Sequence, residues 1–257
     1  LEKNNTAYHN LKKLTTAAHL EGYYYKPRVD KDLLREHAEG LICLSGCPGS
    51  ELGRAIQSGN KEKAEKIILE YQAIFGPENY YLEIMHHPDV EFFQEWKNTI
   101  LEFSRKLNIP LVATQDSHYL RPEDAFAHKT LVAISTQTDV TDTAIFSGNG
   151  EYHFISTEEA VEKFRDIPEA VANTEKIAEQ CNVELTLGKF IFPDFPLEPG
   201  KTADDMLREL AYQGIKTRGL VGRQDVIDRL EYELGIIKFK DYAPYFLVVE
   251  DLIRFAT

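Results

Sequence analysis

Leu111-Val112-Ala113-Thr114-Gln115-Asp116-Ser117-His118-Tyr119 is the stretch on which the fold turns. It opens after Pro110 as a short apolar, partly β-branched run, the pattern of a buried strand. It closes on Asp-x-His, a carboxylate and an imidazole two residues apart. On a pleated backbone residues i and i+2 share a side, so Asp116 and His118 are expected to face one cavity at the strand's carboxyl end. Chemistry in α/β folds gathers at that end. The motif therefore predicts half of a metal site.

Two similar runs precede it. Leu41-Ile42-Cys43-Leu44-Ser45 leads into the turn Gly46-Cys47-Pro48-Gly49, and Tyr80-Tyr81-Leu82-Glu83-Ile84-Met85 leads into His86-His87-Pro88. Helical spacing fills the intervals. Ser50 opens one helix, Asn60 or Lys61 opens a longer one to Phe75, and a third runs from about Val90 to Leu107. Strand and helix thus alternate in series, which predicts an α/β fold with parallel strands. The order suits a segment of a (β/α) barrel, and a doubly wound sheet satisfies the same pattern.

On the amino-terminal side, Leu11, Leu14, Ala17 and Ala18 predict a helix over 10–20. Gly22 stops it before the aromatic loop Tyr23-Tyr24-Tyr25-Lys26-Pro27, and Asp30 caps a short helix over 31–37. After His118, Pro122 starts a helix carrying Ala127, Leu131 and Ile134. A polar loop spans 136–150, and helices follow at 157–164 and 168–181. Pro193, Pro196 and Pro199 mark an extended linker over 190–200, the expected domain boundary. Three helical segments come after it, over 202–218, 224–238 and from Tyr245 onward.

The net charge is −13, hydrophobic residues make up 43% and charged residues 28%. These are ordinary globular proportions. Nonspecific binding to duplex DNA needs a cationic face, so the acidic balance suits a metal enzyme better than a DNA clamp. No apolar run approaches the ~20 residues that cross a bilayer. Cys43, Cys47 and Cys181 form no disulfide framework, which fits a reducing cytoplasm. Leu1 carries neither an initiator Met nor a signal pattern, so both ends read as cut edges.

Metal ligation wants imidazole, carboxylate or thiolate donors converging at roughly 2.0–2.3 Å. Cys47, His86 or His87, and the Asp116–His118 pair lie in three consecutive βα loops, hence at one rim of a parallel fold. Simpler readings stand beside this one. Asp before His caps turns and orients rings, and a Gly-Cys-Pro turn buries a small thiol. His86 and His87 are adjacent, so at most one points inward. Cys43 and Cys181 read as core, and His128 as a local partner of Asp124 or a packing residue. His9, His19, His37 and His153 have no partner pattern. A carboxylate pair of Glu83 with Asp116 is discounted. Phosphate-binding glycine loops, G-x-S-x-G and H-E-x-x-H are absent.

The ordered stretches 21–30, Leu44-Ser45-Gly46-Cys47, Ala113 to Tyr119, Ala127-His128, 173–183, 229–234 and Pro244 to Val249 resemble the alpha subunits of bacterial DNA polymerase III, the C-family replicative polymerases. The resemblance covers essentially the whole chain. It implies a partial, distorted (β/α) PHP barrel over 1–200 lacking its amino-terminal part, then helices leading into a truncated polymerase palm over 201–257. At the PHP rim it implies a divalent-metal cluster, zinc foremost with Mn or Mg as alternatives, held here by Cys47, Asp116 and His118. His87 matches no ligand position. The remaining ligands are expected before Leu1, and the palm's catalytic aspartates, with their Mg, after Thr257. The implied parent extends primers on DNA templates with dNTPs, and its PHP site is a candidate phosphoesterase or 3′–5′ exonuclease. Implied partners are a proofreading exonuclease, the sliding clamp and clamp-loader subunits. Two alternatives stand: a non-catalytic PHP scaffold that docks the exonuclease, and a free-standing PHP-type phosphatase. The chain by itself is expected to be inactive.

Overall fold

The computed structural model describes residues 1–87, 91–141, 152–188, 192 and 194–256. They divide into two compact units, Leu1–Leu185 and Thr186–Thr257.

The amino-terminal unit is built on three parallel strands, β1 (Cys43–Leu44), β2 (Tyr80–Met85) and β3 (Leu111–Thr114), in the order β1-β2-β3. Register pairs Cys43 with Tyr80 and Leu82 with Leu111. The α/β expectation with parallel strands is met at this level. β1 is shorter than its apolar run because Leu41 leaves the parallel ladder to bridge antiparallel to Glu2, while Ile42 exchanges hydrogen bonds with Leu1.

Helices enter where short polar side chains cap them. α1 (Asn5–Leu20), α2 (Lys31–Glu36), α3 (Glu51–Gln57) and α4 (Lys61–Phe75) begin after Asn4, Asp30, Ser50 and Asn60, each accepting a backbone N–H of the first turn. Such caps contribute about 1 kcal/mol each. α1 starts five residues earlier than its apolar spacing predicts. Asn4 caps it there, and Ala7 is fully buried against Gly40, where a Cβ would lie 2.9 Å from that of Ala7.

β2 is buried along its whole length. Tyr80, Leu82 and Ile84 join a core with Ala55 of α3, Ile68 of α4 and Trp96 and Phe103 of α5 (Glu91–Leu107). Tyr81 joins Ile42, Val112 and Ile177 in a second cluster. Ile177 belongs to α8 (Pro168–Gln180), whose Asn173 donates to the Leu111 carbonyl at 2.8 Å. A one-turn 3₁₀ helix (Pro122–Asp124), α6 (Ala125–Thr136) and α7 (Thr157–Lys163) complete the unit. α6 carries Ala127, Leu131 and Ile134 as expected; Leu131 is 65% and Ile134 70% exposed, and Ala133 is the buried position. Most of the loop expected over 136–150 lies outside the described residues.

The second unit contains α9 (Ala203–Thr217), α10 (Gln224–Phe239) and α11 (Ala243–Ala256). A reciprocal Thr202–Asp205 capping box starts α9. Arg208 grips the Glu231 carboxylate with two guanidinium hydrogen bonds, and Leu247 is fully buried. No helix among the described residues is long and apolar enough to cross a membrane.

Candidate functional site

Parallel order brings the loops after β1, β2 and β3 to one edge of the sheet. Asp116 and His118 come together there, though not by the strand geometry their spacing suggests. β3 ends at Thr114, and Asp116 has φ 58°. A left-handed residue breaks the pleat, so the alternation that pairs i with i+2 no longer applies; Asp tolerates this conformation better than most residues. A tight turn does the pairing instead. His118 Nδ1 donates to the Asp116 carbonyl at 2.7 Å and lies 3.8 Å from Asp116 Oδ1. The first contact sets the ring's tautomer and orientation, as an outer hydrogen bond does for metal-binding histidines.

Residues 152–154 pin this turn from outside. His118 N–H donates to the Tyr152 carbonyl at 2.7 Å, and Phe154 N–H donates to that of Tyr119 at 2.9 Å. The Tyr152 ring stands edge-on to His118 at 5.4 Å. His128, expected to pair locally or to pack, packs: its ring lies 5.3 Å from that of His118 and 5.5 Å from that of Tyr119. A ten-residue separation across a turn gives no periodic signal, so spacing could not have found it.

Glu83 is the polar residue that organises the edge. It is 9% exposed in the middle of the sheet. Its Oε2 accepts from Gly46 N–H at 3.1 Å, and its Oε1 accepts from Thr114 Oγ1 at 2.7 Å. Ser45 Oγ accepts the Glu83 N–H at 2.9 Å. One carboxylate thus ties the turn that carries Cys47 to the strand that carries Asp116. An acidic residue in an otherwise apolar strand was the available signal.

Cys47 is exposed in the Gly46–Gly49 turn. The turn is packed closely onto α3: a Cβ on Gly53 would lie 2.1 Å from the Pro48 carbonyl oxygen. Among the described residues no three His, Cys, Asp or Glu side chains converge into a metal-holding group. Burial pushes the Cys43 thiol up to about 12, which keeps it protonated and suits its reading as core.

His87 is 3% exposed and His86 half-buried, so one of the two does point inward. The His87 ring packs against Phe93 at 4.7 Å and Tyr152 at 4.9 Å, and neither ring nitrogen has a hydrogen-bond partner among the described residues. Burial lowers its pKa below the ordinary histidine value; the nearby Asp116 charge opposes this without reversing it. The unfolded chain therefore takes up a proton at His87 more readily than the folded one. This contribution to stability is complete above about pH 6.5 and is lost as the pH falls towards the folded value. Urea midpoints measured at pH 7.5 and 5.5 are expected to show acid destabilisation that shrinks in His87→Leu. An identical pH dependence in the variant would overturn this account.

Residues 1–87, within the amino-terminal unit, match the PHP domain family. Residues 205–257 match the family described as bacterial DNA polymerase III alpha NTPase domain. The chain is similar over 100% of its length to DNA polymerase III subunit alpha of Treponema pallidum (36% identical) and of Borreliella burgdorferi (39%), spanning 22% of each. Over 85% of its length it is 40% identical to the Thermus aquaticus subunit, of which the match covers 18%. Along its whole length the chain is thus homologous to a segment of the DNA polymerase III alpha subunits. Both families imply divalent metals in general terms.

Proposed function

We propose that this chain is part of a replicative DNA polymerase of the polymerase III alpha type, contributing part of a distorted (β/α) PHP barrel and, from about residue 201, the start of the palm. The whole enzyme extends primers on a DNA template with dNTPs. Its partners are a proofreading exonuclease, the sliding clamp and clamp-loader subunits, and it works in the cytoplasm. The PHP region's own chemistry is phosphodiester hydrolysis, of the 3′–5′ exonuclease type.

The observation that carries the hydrolytic reading is the Asp116–His118 turn at the carboxyl edge of the sheet. It presents a carboxylate beside an imidazole of set tautomer, a donor pair suited to a divalent ion such as zinc or manganese. Cys47, on the loop after β1, is the third residue proposed to hold metal. The ion would supply Lewis acidity toward a phosphoryl oxygen. The chain's own part is positional: residues 152–154 hold the turn, and Glu83 holds the Cys47 loop to β3. In the full-length polymerase, Asp116→Ala and His118→Ala are each expected to lower bound metal, measured by elemental analysis, and to reduce exonuclease activity tenfold or more (about 1.4 kcal/mol per decade). Unchanged metal content and activity in both variants would sink the assignment.

A second reading, a PHP scaffold that docks the proofreading exonuclease, is favoured by α6. It presents Phe126, Leu131 and Ile134 to solvent immediately after the Asp-x-His turn. Apolar side chains grouped on one exposed helix suit a protein contact.

A further inference from the structure

The aromatic loop after α1 has no role in the metal edge, and its construction is costly for a connector. Tyr23, Tyr24 and Tyr25 are 61%, 63% and 82% exposed. The loop is nonetheless held in shape. A Cβ on Gly22 would lie 2.0 Å from the Arg28 carbonyl oxygen, so only glycine lets the two ends of the loop close. Arg28 Nη2 donates to the Tyr24 carbonyl at 2.7 Å, and its guanidinium lies 4.8 Å from the centre of the Tyr24 ring. Tyr24 bridges to Lys26, and Tyr25 takes a left-handed φ of 59° with its ring edge-on to Tyr24 at 4.7 Å.

Charge runs against the rest of the molecule here. From Glu2 to Asp30 the chain carries Lys3, Lys12, Lys13, Lys26 and Arg28 against Glu2, Glu21 and Asp30, a cationic excess within a protein of net charge −13. Rigid exposed rings with interleaved cations match a ligand that offers π faces on a polyanionic backbone. A duplex hides its base faces; a single strand presents them.

We propose that the Tyr23–Arg28 loop is a stacking platform for single-stranded DNA, with bases on Tyr24 and Tyr25 and the backbone beside Lys26. The choice of DNA rests on the polymerase reading above. The test is fluorescence anisotropy of the 257-residue chain with labelled oligo(dT) of about 12 nucleotides, a length within the span of known single-strand sites. EDTA is present throughout, so the result does not depend on whether Asp116 and His118 hold metal. The Tyr24→Ala/Tyr25→Ala double variant is expected to bind about tenfold or more weakly, in line with the loss of base stacking. Tyr24→Phe/Tyr25→Phe retains affinity because the π faces remain, and Lys26→Gln lowers the salt dependence. Circular dichroism and thermal melting establish that the variants are folded. Three outcomes each overturn the proposal: no binding by the unsubstituted chain, unchanged affinity in the alanine variant, or an equal loss on duplex DNA.

Discussion

Trp96→Ala is expected to destabilise the amino-terminal unit by about 4 kcal/mol, the upper range for truncating a large core side chain. Trp96 is fully buried on α5, in the cluster that joins α5 to Leu82 and Ile84 of β2. Phe93 meets it edge-on at 5.9 Å. The cavity left by alanine would open between α5 and the sheet. That helix and strand flank the loop holding His86 and His87, so the loss reaches the functional edge as well as the core. Trp96→Phe is expected to cost distinctly less. The indole N–H is buried without an acceptor among the described residues, and removing an unpaired donor recovers about 1–3 kcal/mol of desolvation, against a smaller cavity. Urea unfolding should be followed by far-ultraviolet circular dichroism, because Trp96 is the only tryptophan in the chain. A Trp96→Ala variant within about 1 kcal/mol of the parent would contradict the packing argument.

Glu83→Ala is expected to cost about 3 kcal/mol, since it strands two donors at once. Gly46 N–H and Thr114 Oγ1 both donate to this buried carboxylate. Bonds to a charged acceptor are stronger than neutral ones, so Glu83→Gln, which keeps a single amide oxygen, should fall between the two. The structural consequence is local: the turn over 46–49 loses its tie to β3. Amide exchange at Gly46 is therefore expected to accelerate in Glu83→Ala beyond any change at central β2 amides. Equal protection of Gly46 in parent and variant would show that the carboxylate does not hold the turn.

Local chemistry made much of the architecture legible. Asp30, Ser50 and Asn60 marked helix starts because a short side chain beside free N–H groups acts within one turn of its own position. The apolar runs at 80–85 and 111–114 were legible as buried strands for a similar reason: burial on both faces leaves few polar positions, and Glu83 and Thr114 are the exceptions that bond each other. Where the signal failed, a distant segment had decided the outcome. β1 shortened because Leu1 and Glu2 compete for the backbone of Leu41 and Ile42.

At the candidate site the division is the same. Sequence alone determined the residue types at 47, 116 and 118, the series of strands and helices that puts three loops at one edge, and the kinship with polymerase III alpha subunits. Tertiary structure decided how those residues meet. It set Asp116 left-handed, so that a turn rather than a pleat joins it to His118, and brought His128 beside that turn. It also buried Glu83 between two loops and sealed His87 behind Tyr152. Each of these depends on backbone φ or on contacts between segments more than thirty residues apart, or across a turn. Periodicity carries no information about such contacts, because side-chain spacing records only neighbours along a single element.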